Sequence, residues 1–426
     1  MSQIFNDHRG RPIVAVTGMG VLTSLGQGVE DNWHALCGGE SGIKRIRRFD
    51  TSGLKTTIAG TVDFIDVPVS NAVERSFAFA RETTVEALSQ AGLDGPFSGP
   101  LFLAAPPIEP DWQARFELAD RLRSGDHSGN AYDRFLAAMR DEPDPAFHEA
   151  SLFGSISERL SELFGTRGLP ITLSTACASG VTAIQLGMEA IRQGRTERAL
   201  AVATDGSVSA ESLIRFSLLS ALSTNNDAPS AASRPFSRDR DGFVMAEGAA
   251  TLVLETLESA VARGATILGL ISGCADRADA FHRTRSSPDG GPAIETMRAA
   301  LADAGLDQSD IDYVNAHGTS TPENDKMEFT AMSGVFGQRV TVIPTSSNKS
   351  MIGHTISAAG AIEAVFSLLT ILRGTIPPTI NYNNPDGAIP LDVVPNRKRE
   401  GSVHHVLSNS FGFGGQNASV VLSAPR

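Results

Sequence analysis

Four side chains in this sequence have the types and surroundings to do chemistry together: the Cys177 thiol, the His317 and His354 imidazoles and the Lys349 ammonium. Cys177 lies in the stretch Leu173-Ser174-Thr175-Ala176-Cys177-Ala178-Ser179-Gly180. A short apolar run, Pro170–Leu173, precedes it, and Val181, Ile184, Met188 and Ile191 follow at helical spacing. That pattern predicts a strand-to-helix turn with the cysteine at or near the helix N-terminus. Its small neighbours leave the sulfur approachable, and the positive end of the helix dipole favours a thiolate. The plain alternative is a buried structural thiol, the commonest fate of a free cysteine.

The other groups sit where strands are predicted to end. His317 stands in Asn315-Ala316-His317-Gly318-Thr319-Ser320-Thr321-Pro322. Lys349 and His354 share Ser346-Ser347-Asn348-Lys349-Ser350-Met351-Ile352-Gly353-His354-Thr355. A glycine-rich turn, Ser408–Asn417, separates two C-terminal strands and carries Phe413. In α/β proteins, loops at the carboxyl ends of strands build the active site. Taken singly, each group has a bland reading as a solvated or hydrogen-bonded loop residue.

The elements that must position these groups alternate strand and helix. Residues 12–25 predict a buried strand followed by a turn, with Gly18 and Gly20 permitting either close packing or a tight turn. A dinucleotide-binding loop is a poor fit, because position 23 is Thr where a third glycine belongs. A helix over 72–93 ends Ala-Leu-Ser-Gln-Ala-Gly-Leu before a strand at 101–105; 293–306 ends Ala-Leu-Ala-Asp-Ala-Gly-Leu before a strand at 312–316. A second echo follows. Helices opened by Gly180 and Gly360 each reach a further glycine, Gly194 and Gly374, 14 residues on. Two echoes in one order predict an internally duplicated α/β chain whose halves meet near 255–265. The expected organisation is a tail at 1–11, a first half at 12–260 and a second at 261–426. A proline- and charge-rich excursion lies near 106–150.

Composition bounds the function. The chain has 426 residues, 41% hydrophobic and 20% charged, enough for a sizeable core. Its net charge of −12 and lack of basic runs with interleaved aromatics argue against nucleic acid. Three cysteines without paired spacing, Cys37, Cys177 and Cys274, give neither a disulfide framework nor a zinc motif. No signal-peptide core opens the sequence, and Ile356–Leu372, although apolar, contains Glu363. A cytoplasmic protein without a membrane span is expected.

The motifs together resemble the β-ketoacyl-acyl-carrier-protein synthases of the synthase II type. They are T-A-C-A-S-G (175–180), A-L-S-T-N-N-D (221–227), A-A-S-R-P-F (231–236), D-G-F-V (241–244), N-A-H-G-T-S-T-P (315–322), D-K-M-E (325–328), S-N-K-S-M-I-G-H-T (347–355) and S-N-S-F-G-F-G-G (408–415). The resemblance runs from about residue 12 to 423. It implies the thiolase fold, duplicated in five α-β-α-β-α layers, and a homodimer. It also implies a decarboxylative condensation in which Cys177 accepts an acyl chain from an acyl-carrier protein. His317 and His354 would stabilise the enolate, and backbone N–H groups of Cys177 and Phe413 would form the oxyanion hole. Lys349 would orient the site, with Glu328 as its carboxylate partner. Thr319 and Thr321 would hold the phosphopantetheine arm, Phe413 would gate the chain, His282 would lie on a second mobile loop at 279–284, and Phe216 would line the acyl pocket. No metal, and no cofactor beyond the carrier's phosphopantetheine, is implied.

Two departures concern chain length. Ala105-Pro106-Pro107-Ile108-Glu109-Pro110 replaces a glycine-rich turn near the far end of the acyl pocket, and Gln416 replaces a commoner threonine. The wording of 282–290 and of F-G-F-G-G-Q-N resembles alphaproteobacterial very-long-chain synthases whose products acylate lipid A. A polyketide-type ketosynthase and a non-catalytic chain-length partner are the alternatives, the latter opposed by Cys177. A thiolase is disfavoured because neither Cys37 nor Cys274 lies in a second-cysteine motif. An acidic carrier would need a local basic patch on this acidic chain, at Lys44–Arg48 or Arg397–Arg399.

Overall fold

Two sets of five strands with one connectivity make the core of the fold. The computed structural model describes residues 5–425 except 68–70, 108–111, 113–114, 118–119, 121–128 and 142–144. The first set is β1 (Val14–Thr23), β2 (Leu101–Ala104), β3 (Ile171–Leu173), β4 (Arg198–Asp205) and β5 (Gly248–Thr256). The second is β6 (Gly269–Ala278), β7 (Tyr313–Asn315), β8 (Pro344–Ser346), β9 (His405–Phe411) and β10 (Gln416–Ser423). Their spatial orders are β3-β2-β4-β5-β1 and β8-β7-β9-β10-β6, the same permutation twice. Directions repeat too. In each half the second strand runs parallel to the third and fourth, and the fifth is antiparallel to the fourth and first. The halves join where β1 pairs antiparallel with β6 at Val14 and Ile271.

Five principal helices complete the layers: α1 (Ala72–Ala91), α2 (Ser179–Arg192), α3 (Gly291–Ala304), α4 (Pro322–Phe336) and α5 (Ala359–Arg373). α1 packs on the first set of strands and α3 on the second, while α2 and α5 touch each other and strands of both sets. The stack is therefore helix, sheet, helix pair, sheet, helix: the duplicated thiolase fold expected from the motifs. α5 is buried along nearly its whole length. With the short turn before it, it forms the stretch Ile356–Arg373, long and apolar enough to cross a membrane but 83% buried inside the fold.

Each sequence echo has a structural cause. The Ala-Gly-Leu endings of α1 and α3 place Gly92 and Gly305 in the left-handed conformation, at φ 62° and 69°. The next N–H, from Leu93 or Leu306, then donates back to Leu88 or Leu301 at 3.1 Å, closing the helix ends alike. The glycines that open α2 and α5 serve contact rather than turning. A Cβ on Gly180 would lie 2.5 Å from the Ala361 nitrogen, and one on Gly360 would lie 2.7 Å from Val181 Cγ2.

Gly18 and Gly20 form no turn. β1 runs straight through them with a bulge between Val16 and Gly18. Both lack side chains because α1 crosses there; an added Cβ would stand 2.0 Å from the Ala87 or Thr83 carbonyl oxygen. At the N-terminus, the tail is tied down by Arg11 on Asp303 at 2.7 Å, a carboxylate shared with Arg192. In the excursion, helices cover Ala131–Asp141 and Pro145–Ser151. Ile108, Glu109 and Pro110 of the proline-rich replacement lie outside the described residues.

Gly180→Ala should destabilise the protein by about 1–3 kcal/mol through overpacking at the α2–α5 contact. Gly194→Ala is the contrast: it meets no neighbour but must hold φ 68°. Denaturant midpoints and near-ultraviolet dichroism of the two variants distinguish lost packing from lost turn geometry.

Candidate active site

Cys177 stands just before the first turn of α2, whose N-cap is Ala178. Ala176 takes φ 50° to bring it there, an uncommon conformation for a residue with a side chain. On the facing turn, a Cβ on Gly412 would come within 3.1 Å of the Cys177 nitrogen, so the absence of one lets the Phe413 backbone approach. The Phe413 N–H is close enough to the sulfur to favour its anion. His354 Nε2 lies 3.0 Å from Sγ. The His317 ring meets the His354 ring edge-on, with centroids 5.3 Å apart. One nitrogen of each ring and the sulfur fall within 4.8 Å of one another, a donor set that a soft divalent ion could also occupy.

The second half carries its groups on rigid supports. His317 follows β7, and Glu328 of α4 accepts the N–H groups of His317 and Gly318, both at 2.8 Å. Lys349 opens the short helix Lys349–Ile352 after β8. Its ammonium pairs with Glu363 of α5, and both side chains are buried. The resemblance's partner for Lys349 is thus corrected: Glu328 braces the His317 loop, and Glu363 carries the counter-charge. The reason is geometric. Both Glu328 oxygens are taken by backbone donors, whereas α5 runs past Lys349 and points its lone acid inward. Asn315 links the supports, donating to Asn348 Oδ1 at 2.9 Å and to the Glu363 carbonyl at 3.3 Å.

Burial governs the electrostatics. It pushes the Cys177 thiol up to about 11, outweighing the Phe413 N–H and the Lys349 charge, which pull the other way. Burial therefore opposes the thiolate that the position at the helix N-terminus favours. Burial, and then the Lys349 charge, hold both histidines well below their usual value, so the rings are neutral. Glu328 rises to about 7 because desolvation outweighs its two backbone donors.

The site opens into a cavity of about 700 Å³ lined by Cys177, His317, His354, Thr319, Thr321 and Phe413, with Phe216 and Phe243 among its apolar walls. Thr319 and Thr321 touch through their hydroxyls at 3.0 Å. The Phe413 ring lies 6.3 Å from that of Phe216 and 6.4 Å from that of Phe243. His282 does not line the cavity. It is exposed and accepts the Thr284 N–H at 3.2 Å, while its loop neighbours Phe281, Thr284 and Arg285 face inward. His282 and Arg283 fall on the solvent side, between Phe281 and Thr284 of the cavity wall.

Sequence reading missed several contributors. Glu363 was detectable in principle, as the one acid in an apolar helix and so a buried charge in need of a partner. Phe243 stands edge-on to His354 at 5.4 Å, and nothing short of tertiary structure pairs them. Arg285 and Lys326 are exposed cations at the cavity mouth. Of the expected basic run, Arg48 is spent on buried Glu247 and Lys44 on Asp63. In the other, Arg399 binds Asp392 and Lys398 binds Glu400.

This fold and this thiol–imidazole pocket define a condensing acyltransferase. The N-terminal domain of β-ketoacyl synthases matches residues 12–95 and 127–260, and their C-terminal domain matches 268–383. The chain belongs to the β-ketoacyl synthase family. It is 38% identical over 418 residues to 3-oxoacyl-[acyl-carrier-protein] synthase 2 of Coxiella burnetii, covering 96% of this chain and 98% of the relative. It is 36% identical to the tetracenomycin polyketide synthase ketoacyl synthase alpha subunit of Streptomyces glaucescens, covering 97% of both chains. A β-ketoacyl synthase from Burkholderia phymatum superposes with a TM-score of 0.84 at 33% identity, over 97% of this chain and all of its own. A type II polyketide ketosynthase, solved in complex with its acyl-carrier protein, superposes at 0.86 with 32% identity and the same coverage.

Lys349→Met should leave Glu363 buried and unpaired, costing about 3–5 kcal/mol. Lys349→Met/Glu363→Leu should recover most of that stability without recovering condensation. Unfolding midpoints beside a condensation assay check both halves of the expectation; a double variant as unstable as the single would refute the pairing.

Proposed function

We propose that Cys177 carries the growing acyl chain and that the second half's groups run the decarboxylation. The observation that carries this reading is the meeting of the thiol with two neutral imidazoles at the floor of one cavity. Cys177 attacks the thioester of an acyl-carrier protein. A thiol held neutral loses its proton as it attacks, and His354 Nε2 is the acceptor within reach. The proton leaves on the released carrier thiol, and the Cys177 and Phe413 N–H groups receive the carbonyl's developing charge. Malonyl-carrier then loses carbon dioxide. His317 and His354 steady the enolate oxygen, its carbanion attacks the acyl-Cys177 carbonyl to form the carbon–carbon bond, and the carbon–sulfur electron pair leaves on the Cys177 sulfur, which takes a proton from solvent to return to the neutral thiol. Burial, and then the Lys349 charge, keep the imidazoles neutral, so they can donate to the enolate without first shedding a charge.

Thr319 and Thr321 are the hydroxyls available to the carrier's phosphopantetheine arm; the chain uses no metal or cofactor of its own. Arg285 and Lys326 give the acidic carrier a positive rim although the chain is negative overall. We propose elongation of fatty chains in the cytoplasm, with very long chains destined for lipid A as the particular substrate. A polyketide role is the second reading, supported by the likeness to polyketide ketosynthases. The active form is a homodimer: β3 is the sheet's edge, and Leu169 before it is 90% exposed and Ile171 within it 46%.

Intact mass after incubation with acyl-carrier should show one acyl adduct on the wild type and none on Cys177→Ala. His317→Asn should keep the adduct yet lose decarboxylation by about 100-fold or more. Carriers bearing progressively longer chains read the substrate from the same adduct; a medium-chain limit would refute the very-long-chain reading, and polyketide intermediates accepted in preference would favour the alternative. Sedimentation should give a dimer that Leu169→Asp/Ile171→Lys dissociates, and a wild-type monomer would refute the assembly.

A further inference from the structure

The turns that open α2 and α5 are copies of one another 180 residues apart. Ala176 and Ile356 both take positive φ, 50° and 43°. Ala178 and Ala358 are both N-caps in nearly the same conformation, and Gly180 and Gly360 meet. Ser357 is therefore the counterpart of Cys177. A second correspondence holds at the ends of the fourth strands. β4 ends at Asp205 and is followed by Gly206-Ser207, where β9 ends at Phe411 and is followed by Gly412-Phe413. Ser207 is thus the counterpart of Phe413.

The backbone N–H groups of Ser357 and Ser207 are then the mirror images of those of Cys177 and Phe413. Both are occupied. Asp205 Oδ2 accepts the Ser357 N–H at 3.1 Å, and Oδ1 accepts the Ser207 N–H at 3.1 Å and its hydroxyl at 2.5 Å. One carboxylate, taking the two N–H groups on its two oxygens, puts negative charge where an oxyanion's charge would be received. The second copy of the hole is thus filled from within the chain. Asp205 is wholly buried, and left empty this copy would hold unpaired N–H groups in a dry interior.

We propose that Asp205 is a positioning residue for the condensation: its carboxylate plugs the mirror copy of the oxyanion hole and pins Ser357, fixing the turn that presents His354 to the thiol. This rests on the reading of Cys177 as the acyl acceptor. His354 is held from its other side by Val244 and Ala246, through backbone bonds of 2.7 and 2.9 Å, so Ser357 is its tether on the α5 side. The placement explains a buried acid whose hydrogen bonds, among the described residues, go to Ser207 and Ser357 and to no base. The titratable groups around the thiol are then His317, His354, Lys349, Glu363 and Asp205, with Glu247 the acid facing Asp205.

The test compares wild type, Asp205→Ala and Asp205→Asn in acyl-adduct formation, in kcat and KM for condensation, and with added sodium formate. The Ala variant should lose about 10- to 100-fold in kcat with KM for malonyl-carrier little changed. Formate, a carboxylate small enough for the emptied hole, should restore part of the rate. Asp205→Asn, which turns an NH₂ toward one of the two N–H groups, should be slow and unresponsive to formate. A kcat within twofold of wild type in either folded variant overturns the proposal. So does a loss that formate does not lift in Ala, since it would assign Asp205 to fold support alone. If Asp205→Ala does not fold by circular dichroism, the kcat of Asp205→Asn decides. Absence of the wild-type adduct would instead sink the Cys177 reading, which separates the two failures.

Discussion

Two helices begin side by side because neither has a side chain where they touch. Gly180 and Gly360 let the backbones of α2 and α5 approach to a separation that any Cβ would forbid. The consequences spread from that contact. It sets the first turn of α2, and so Cys177, beside the loop that carries His354. It gives α5 a buried course from which Glu363 reaches Lys349. It also puts the middle helix layer in contact with strands of both halves, so the two copies share one interior.

Within that interior, dryness is the second controlling fact. Burial is the largest influence on the thiol, both imidazoles and both site carboxylates, and in every case it favours the uncharged form. One cation, Lys349, acts on all of them through space. It discourages protonation of the rings and favours the sulfur anion, and Glu363 keeps it affordable in a low-dielectric site. The resting state is therefore neutral where the chemistry occurs. On the proposed mechanism, charge would be created only as substrate reacts, where fixed N–H groups would receive it without reorganisation.

Duplication supplied two copies of the strand order and of the turns at its strand ends, and the site draws on different ones. The thiol comes from the first half's helix turn. The imidazoles, the ammonium and the facing N–H of Phe413 come from the second half. Where the mirror copies of Cys177 and Phe413 lie, the chain has a serine and a second serine around the Asp205 carboxylate. A fold that repeats its backbone can thus differ wholly in chemistry from one copy to the other, because a few side chains decide whether a hole is open or filled.

Much of this was legible in the residues alone. Local signals carried it: glycine after a helix end, apolar runs the length of a strand, polar clusters where strands stop. These depend on φ, hydrogen bonding over a few residues and side-chain period, all of which are written in consecutive positions. The four reactive groups, the repeat and the family likeness followed from them. Gly18 and Gly20 could be read as a tight turn or as close packing, because glycine's local freedom is visible in sequence, whereas the crossing of α1 that selects packing is not. The partner of Lys349 was misassigned for a related reason. Two buried acids, Glu328 and Glu363, both suit an ammonium by charge, and only the path of α5 past the loop selects one. The sequence by itself determined which groups are present and the local turns that hold them. Tertiary structure alone decided which charges pair, that burial leaves the thiol and imidazoles uncharged, and which side of the 279–288 loop faces the cavity. Those properties depend on distance and solvent exclusion between segments far apart in the chain, and residue order does not encode distance directly.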